Sequence, residues 1–203
     1  MVFVELSIEE VDKQSCILAD RVSDLGYAPD LVAYLARGGW LLGKSVAREL
    51  SCPLLELSTH RSGDLIKAKN SWLLRALPRN VRRIMRTVEI HKRLKHKNAP
   101  HGKSLHVTDR YSPPSEANSI LLVDDSADTG ISLRCAVETL RSIYPMAEIK
   151  VAVFNAFADA REQVDIDIAL YENTLLCLPS SKDSADYNRF LREYSGQTQL
   201  DHS

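Results

Sequence analysis

Apolar positions along the chain fall into two patterns, one with helical spacing and one nearly continuous. In residues 8–25, Val11, Ile17, Leu18, Val22 and Leu25 share roughly one face of a helix. Ser7 and Glu10 stand three apart before this run, the spacing of a capping box. Gly26 stops the helix and Pro29 opens the next element. Residues 31–36 are apolar almost without a break, the mark of a strand buried on both faces. The turn Arg37-Gly38-Gly39 follows. An amphipathic helix over residues 40–50 then carries Leu41, Leu42, Val46, Ala47 and Leu50, and residues 53–57 form a second strand. Strand, glycine turn, helix and strand make a βαβ unit, which implies a parallel sheet.

Residues 58–118 interrupt this rhythm. Residues 71–77 are apolar and Pro78 breaks the run. Val81, Ile84, Met85 and Val88 then recur at 3.6-residue spacing, with Arg79, Arg82, Arg83, Arg86, Lys92, Arg93 and Lys97 filling the other positions. This predicts a basic amphipathic helix with a narrow apolar stripe. Pro100, Gly102, Pro113 and Pro114 mark a loop, with a short strand around residues 105–107. Beyond it, residues 120–123 predict a buried strand, 124–130 a turn and 131–142 a helix. Further strands are predicted at 148–157, 166–170 and 175–178, and a short helix at 186–194. The fold class is α/β, a parallel Rossmann-like sheet with helices on both faces and a large basic, partly helical insert over 58–118.

A length of 203 residues with 44% apolar and 26% charged positions describes one globular domain, 1–203. No run approaches the roughly 18 apolar residues of a membrane span. Residues 1–10 carry acids where a secretory signal has a basic flank, so the expected location is the cytoplasm and no membrane partner is expected. Cys16, Cys52, Cys135 and Cys177 form no CxxC pair, and the histidines form no HxH or HExxH arrangement. Neither a zinc site nor a disulfide framework is expected. The net charge of −1 conceals an asymmetry. Residues 61–110 hold fourteen lysines and arginines against three acids, a net of +11. The remainder holds twelve against twenty-four, a net of −12. Such a block suits a polyanion or a phosphate-rich ligand, and also suits a merely solvated face.

The chemistry concentrates in residues 120–133. Asp124 and Asp125 follow four apolar residues, at the C-terminal end of a strand, where open α/β sheets bind ligands. Asp128, Thr129, Gly130, Ile131 and Ser132 come next, at a helix N-terminus whose free N–H groups and dipole favour an anion. The loop therefore offers acceptors first and phosphate donors second. A phosphorylated ribose, with a diol beside a phosphate, matches both halves.

This run resembles the signature of the type I phosphoribosyltransferases: four apolar residues, two acids, two variable positions, then Asp-Thr-Gly-x-Thr/Ser. Every position matches, with Ser132 in the last slot. Arg37, Gly38 and Gly39 stand where the family binds the pyrophosphate of phosphoribosyl pyrophosphate (PRPP). The resemblance runs from about residue 3 to 179 and is nearest the xanthine and hypoxanthine-guanine branch. It implies transfer of a 5-phosphoribosyl group from PRPP to a nitrogenous base, a purine first of all, with Mg²⁺, in nucleotide salvage by a homodimer. It further implies that Asp124 and Asp125 meet the ribose hydroxyls, partly through magnesium and its water. Asp128, Thr129, Gly130, Ile131 and Ser132 would hold the 5′-phosphate. Arg37, Gly38 and Gly39 would hold the pyrophosphate, and Asp128 would act near the base in proton transfer.

Two features depart from the family pattern. The stretch around Pro179 that would hold the base has no flanking aromatic, and Tyr171 and Tyr187 are the nearest candidates. The segment 58–118, where the family has a mobile loop, is long and basic. Two readings follow. One is the transferase, with an enlarged lid. The other is a phosphoribosyltransferase-like effector that binds a phosphoribosyl ligand and docks nucleic acid or a partner through the basic insert.

Overall fold

The structure, a computed structural model, describes residues 2–59 and 105–200. The basic helix expected around residues 81–97, and most of the insert, lie outside the described residues. A six-stranded sheet forms the centre. Its strands are β2 (Leu31–Leu35), β3 (Leu54–Thr59), β4 (Leu105–Val107), β5 (Ser119–Ala127), β6 (Glu148–Ala156) and β7 (Ile168–Glu172), in the spatial order β4-β3-β2-β5-β6-β7. All neighbours are parallel except β3 and β4.

Alternate residues of the central strands feed two separate cores, the consequence of the two-residue period of a strand. Val32, Tyr34, Leu121, Val123, Ala152 and Phe154 pack on one face with α1 (Ile8–Asp24) and α2 (Trp40–Glu49). Leu31, Ala33, Leu35, Ile120, Leu122 and Val151 pack on the other with Leu133, Ala136, Val137 and Leu140 of α3 (Ile131–Ile143). Burial on both faces is why these strands read as continuous apolar runs. The expected α/β sheet with helices on both faces is present.

Helix α1 starts at the expected capping box. The Glu10 amide donates to Ser7 Oγ at 3.2 Å and the Ser7 amide to Glu10 Oε2 at 2.7 Å. A four-residue helix, α4 (Ala158–Arg161), follows β6. The chain ends in α5 (Tyr187–Leu200), longer than the expected 186–194 and packed on the α1/α2 face through Phe190.

Two elements depart from the expectation. Residues 3–5 form a strand, β1 (Phe3–Glu5), that pairs in parallel with β8 (Leu175–Cys177) in a separate two-stranded sheet. Three residues are too few for a legible period, and their partner lies some 170 residues away. Strand β5 also continues beyond Val123 to Ala127, so Asp124 and Asp125 lie in the strand and not in the turn. Its ladder with β6 continues through Asp124↔Val153, Ser126↔Asn155 and Ala127↔Ala156, and that pairing holds polar residues extended.

Candidate functional site

Strands β2 and β5 lie side by side, with Tyr34 paired to Val123, so the chain segments leaving their C-terminal ends emerge together. The segment after β2 is the turn 36–39. The Ala36 amide donates to the Leu57 carbonyl at 2.8 Å, the Gly39 amide to Leu35 at 3.0 Å and the Trp40 amide to Arg37 at 3.2 Å. The Ala36–Arg37 peptide is cis. Arg37 itself is exposed, next to a half-buried Gly38 and a buried Gly39.

The acidic pair meets this turn at close quarters. A Cβ placed on Gly38 would lie 2.3 Å from Asp125 Oδ2, and one on Gly39 would lie 3.4 Å from Asp124 Oδ1. Only glycine admits the approach at Gly38 without displacing the carboxylate. The turn containing Arg37, Gly38 and Gly39 and the acids Asp124 and Asp125, 85 residues apart in the chain, therefore form one surface. Asp124 is buried, and burial, with the neighbouring Asp125 charge and then Asp128, holds its carboxyl well above the usual carboxylate range. Its Oδ1 accepts the Asp125 amide at 2.9 Å.

Residues 128–130 leave β5 and turn into α3. Gly130 has φ +71°, and a Cβ there would lie 2.6 Å from the Ala160 carbonyl oxygen, so α4 closes over this turn. Helix α3 has no side-chain cap and no acid in its first turn. The first N–H groups of a helix have no intrahelical acceptors, and the dipole adds positive potential there. Thr129, Ile131 and Ser132 are half-buried around this helix start.

Two residues that sequence reasoning passed over orient Asp128. Ser126 Oγ donates to Asp128 Oδ1 at 3.0 Å, and Asn155 Nδ2 donates to Ser126 Oγ at 3.4 Å. Asn155, fully buried, accepts the Thr174 amide on its Oδ1 at 3.0 Å. No local pattern marks Asn155, because only the β5–β6 register sets it opposite Ser126.

A shallow depression, open to solvent, lies between Gly38, Asp125 and the segment Leu178-Pro179-Ser180. The stretch around Pro179 thus lies beside Asp125. The aromatic that lines the depression is Phe154 of β6, while Tyr171 and Tyr187 pack against the core on the α1/α2 face.

Among the described residues no group of three or more His, Cys, Asp or Glu side chains gathers in metal-binding proximity. Asp124 and Asp125 supply two carboxylates. That donor set fits Mg²⁺, which commonly takes one or two carboxylates and completes its shell with ligand phosphates and water. No described helix is long and apolar enough to cross a membrane. All four cysteines are free thiols.

A family model described as a phosphoribosyl transferase domain matches residues 9–173, and the chain belongs to that family of transferases. Among solved structures, a purine phosphoribosyltransferase from Pyrococcus horikoshii superposes with a TM-score of 0.57 at 19% identity, over 88% of this chain and 93% of that one. A xanthine-guanine-hypoxanthine phosphoribosyltransferase from Helicobacter pylori gives 0.58 at 15% identity, over 92% and 97%. A hypothetical protein from Neisseria gonorrhoeae with bound ppGpp gives 0.52 at 13% identity, over 96% of each chain. At these identities the likeness is one of fold. No curated protein sequence matches the chain.

Proposed function

We propose that this chain transfers a 5-phosphoribosyl group from PRPP to a nitrogenous base, a purine by preference, and releases pyrophosphate. The observation that carries the reading is the contact between Gly38 and Asp125. It joins a turn suited to a diphosphate with a carboxylate pair suited to a ribose diol. Asp124 and Asp125 accept from the 2′ and 3′ hydroxyls. Asp124 and Asp125 would also hold Mg²⁺, which when bound would supply positive charge toward the leaving diphosphate. The start of α3, with Thr129, Gly130, Ile131 and Ser132, binds the 5′-phosphate on free amides and hydroxyls.

In the transfer, a ring nitrogen of the base forms a bond to C1′ as the bond from C1′ to the pyrophosphate oxygen breaks. Positive charge develops on the ribose and negative charge on the leaving group. Arg37, exposed at the turn, and the amide of Gly38 stabilise the departing oxyanions, while Gly39, its own amide bonded to the Leu35 carbonyl, shapes the turn that presents them. The proton lost by the base nitrogen passes to Asp128, whose carboxylate Ser126 holds in place. The base lies over the segment Leu178-Pro179-Ser180, beside Asp125. In the cell this activity serves nucleotide salvage in the cytoplasm, with two copies of the chain as the working unit.

A second reading keeps the ligand site and drops the turnover: an effector that binds a nucleotide or phosphoribosyl ligand while segment 58–118 engages nucleic acid. The +11 charge of residues 61–110 favours it. A transfer screen with purines, orotate and uracil, following pyrophosphate release with Mg²⁺ present, separates the two. Release with one purine supports the enzyme. PRPP or nucleotide binding without release, together with a gel shift that weakens steeply with salt, supports the effector. Equal PRPP affinity for the wild type and Asp124→Asn/Asp125→Asn in calorimetry removes the diol contact from either reading.

A further inference from the structure

A buried polar assembly beside the turn 36–39 takes no part in the roles above. Glu56 of β3 and Arg110, three residues beyond β4, are 5% and 9% exposed. Arg110 Nε lies 3.2 Å from Glu56 Oε2. The same oxygen accepts the hydroxyl of Tyr34, from β2, and that of Tyr194, from α5, the latter at 2.9 Å. Arg110 Nη1 donates to the Tyr194 carbonyl at 2.9 Å, and the guanidinium sits 3.8 Å from the Tyr194 ring centre. One carboxylate oxygen thus collects donors from a central strand, from the segment after β4 and from α5.

The assembly grips the turn from both sides. Tyr34 stands two residues before Ala36, and its ring is pressed by α2: a Cβ on Gly43 would lie 3.0 Å from it. Trp40 follows Gly39 directly and is fully buried. Its ring meets Tyr194 edge-on at 5.3 Å and Phe190 at 5.8 Å, and its Nε1 donates to Tyr111 Oη at 3.3 Å. Tyr111 closes the circuit, edge-on to Tyr34 at 6.3 Å. Arg37 is near enough for its charge to oppose the rise that burial imposes on the Tyr194 phenol. A buried ion pair of this kind gains little stability over an apolar replacement. Fully hydrogen-bonded, it holds one arrangement rigidly.

We infer that α5 is a clasp on the turn 36–39, with Glu56 and Tyr194 as positioning residues that fix the turn in the form that receives the donor's diphosphate. The inference rests on the reading of this turn as the pyrophosphate site. None of the contacts just described includes residues 128–132, which leave β5 for a helix on the opposite face of the sheet. Loosening the clasp therefore weakens diphosphate binding selectively and spares a 5′-monophosphate.

The test is Tyr194→Phe in the full chain, which keeps the ring and removes the donor to Glu56. Amide hydrogen exchange is followed at Ala36, Gly39 and Trp40, whose N–H groups close the turn. Calorimetry measures the affinity for PRPP and for a nucleoside monophosphate. Exchange should quicken about tenfold or more and PRPP affinity fall about tenfold, the worth of one hydrogen bond to a charged group, with monophosphate affinity changed less than about twofold. Should the variant fail to fold, Trp40→Phe, which removes the Nε1 donor to Tyr111, puts the same question. Unchanged exchange overturns the clasp, and so does an equal loss of both ligands. If the wild type binds neither ligand while Tyr194→Phe quickens exchange, the clasp stands and the transferase reading falls.

Discussion

Three glycines make separate demands on the backbone, and replacing each with alanine separates conformation, packing and ligand chemistry. Gly26, after α1, has φ +68° and nothing within 4 Å of an added Cβ. Gly26→Ala therefore costs only the left-handed conformation, about 1 kcal/mol. Gly130 has a nearly equal φ, +71°, and its Cβ would also lie 2.6 Å from the Ala160 carbonyl oxygen and 3.1 Å from the Ala160 Cα. Those are backbone atoms and cannot rotate away. Overpacking adds about 2 kcal/mol, so Gly130→Ala should cost about 3 kcal/mol in all. At about 2–4 °C per kcal/mol for a chain of this length, melting temperature should fall by about 3 °C at Gly26 and about 9 °C at Gly130. Gly38 presents the third case. Its Cβ would meet Asp125 Oδ2 at 2.3 Å, the end of a side chain free to turn aside. Gly38→Ala should cost under about 1 kcal/mol in stability, since a shifted rotamer is inexpensive. It should also displace the carboxylate proposed for the ribose and reduce PRPP affinity by more than about tenfold. Calorimetric melting and ligand titration on the three variants give the answer. If Gly130→Ala melts no lower than Gly26→Ala, α4 does not press on the turn at Gly130 as the geometry requires. If Gly38→Ala binds PRPP like the wild type, the turn and the acid pair do not act as one surface.

Asp128→Asn should lower turnover by about 10²-fold or more and leave monophosphate affinity within about threefold, because it removes the proton acceptor and keeps the Ser126 hydrogen bond. Unchanged turnover in a steady-state assay would assign Asp128 to loop shape alone. Arg110→Met should destabilise the fold by about 3 kcal/mol, since it strands the buried Glu56 carboxylate, and combining it with Glu56→Gln should recover more than about 1 kcal/mol in a denaturation cycle. Strict additivity would mean the pair does not interact. Tyr194 is pushed up to about 12 and Tyr27, Tyr34 and Tyr144 are also raised, each chiefly by burial. Between the ordinary phenol value of 10 and the raised values the folded state binds more protons than the unfolded one, so stability falls as pH rises through that window. A phenolate absorbance titration should show these four of the seven tyrosines ionising together with loss of helical circular dichroism. Ionisation of all seven before unfolding would contradict their burial.

The central strands were legible because each is buried on both faces and so is written as an uninterrupted apolar run. The α1 cap was legible because Ser7 and Glu10 answer each other across three residues. The acids at 124, 125 and 128 and the glycine turn at 38 and 39 stood out because strand, turn and helix follow one another locally. Asn155 did not, because its link to Ser126 depends on which strand lies beside β5. The Glu56–Arg110 pair was equally silent. Each partner alone reads as a surface charge, and 54 residues separate them.

From the sequence alone came the α/β order of elements, the parallel sheet, the family and the two short segments proposed for the site. All of these are local patterns or immediate neighbours in the chain, where backbone period and turn chemistry suffice. Tertiary structure alone decided that Gly38 lies against Asp125, that Phe154 lines the depression beside Pro179, and that Tyr194 of α5 packs on Trp40 and bonds Glu56. These contacts join residues from about 25 to more than 150 positions apart, and packing, not pattern, brings them together.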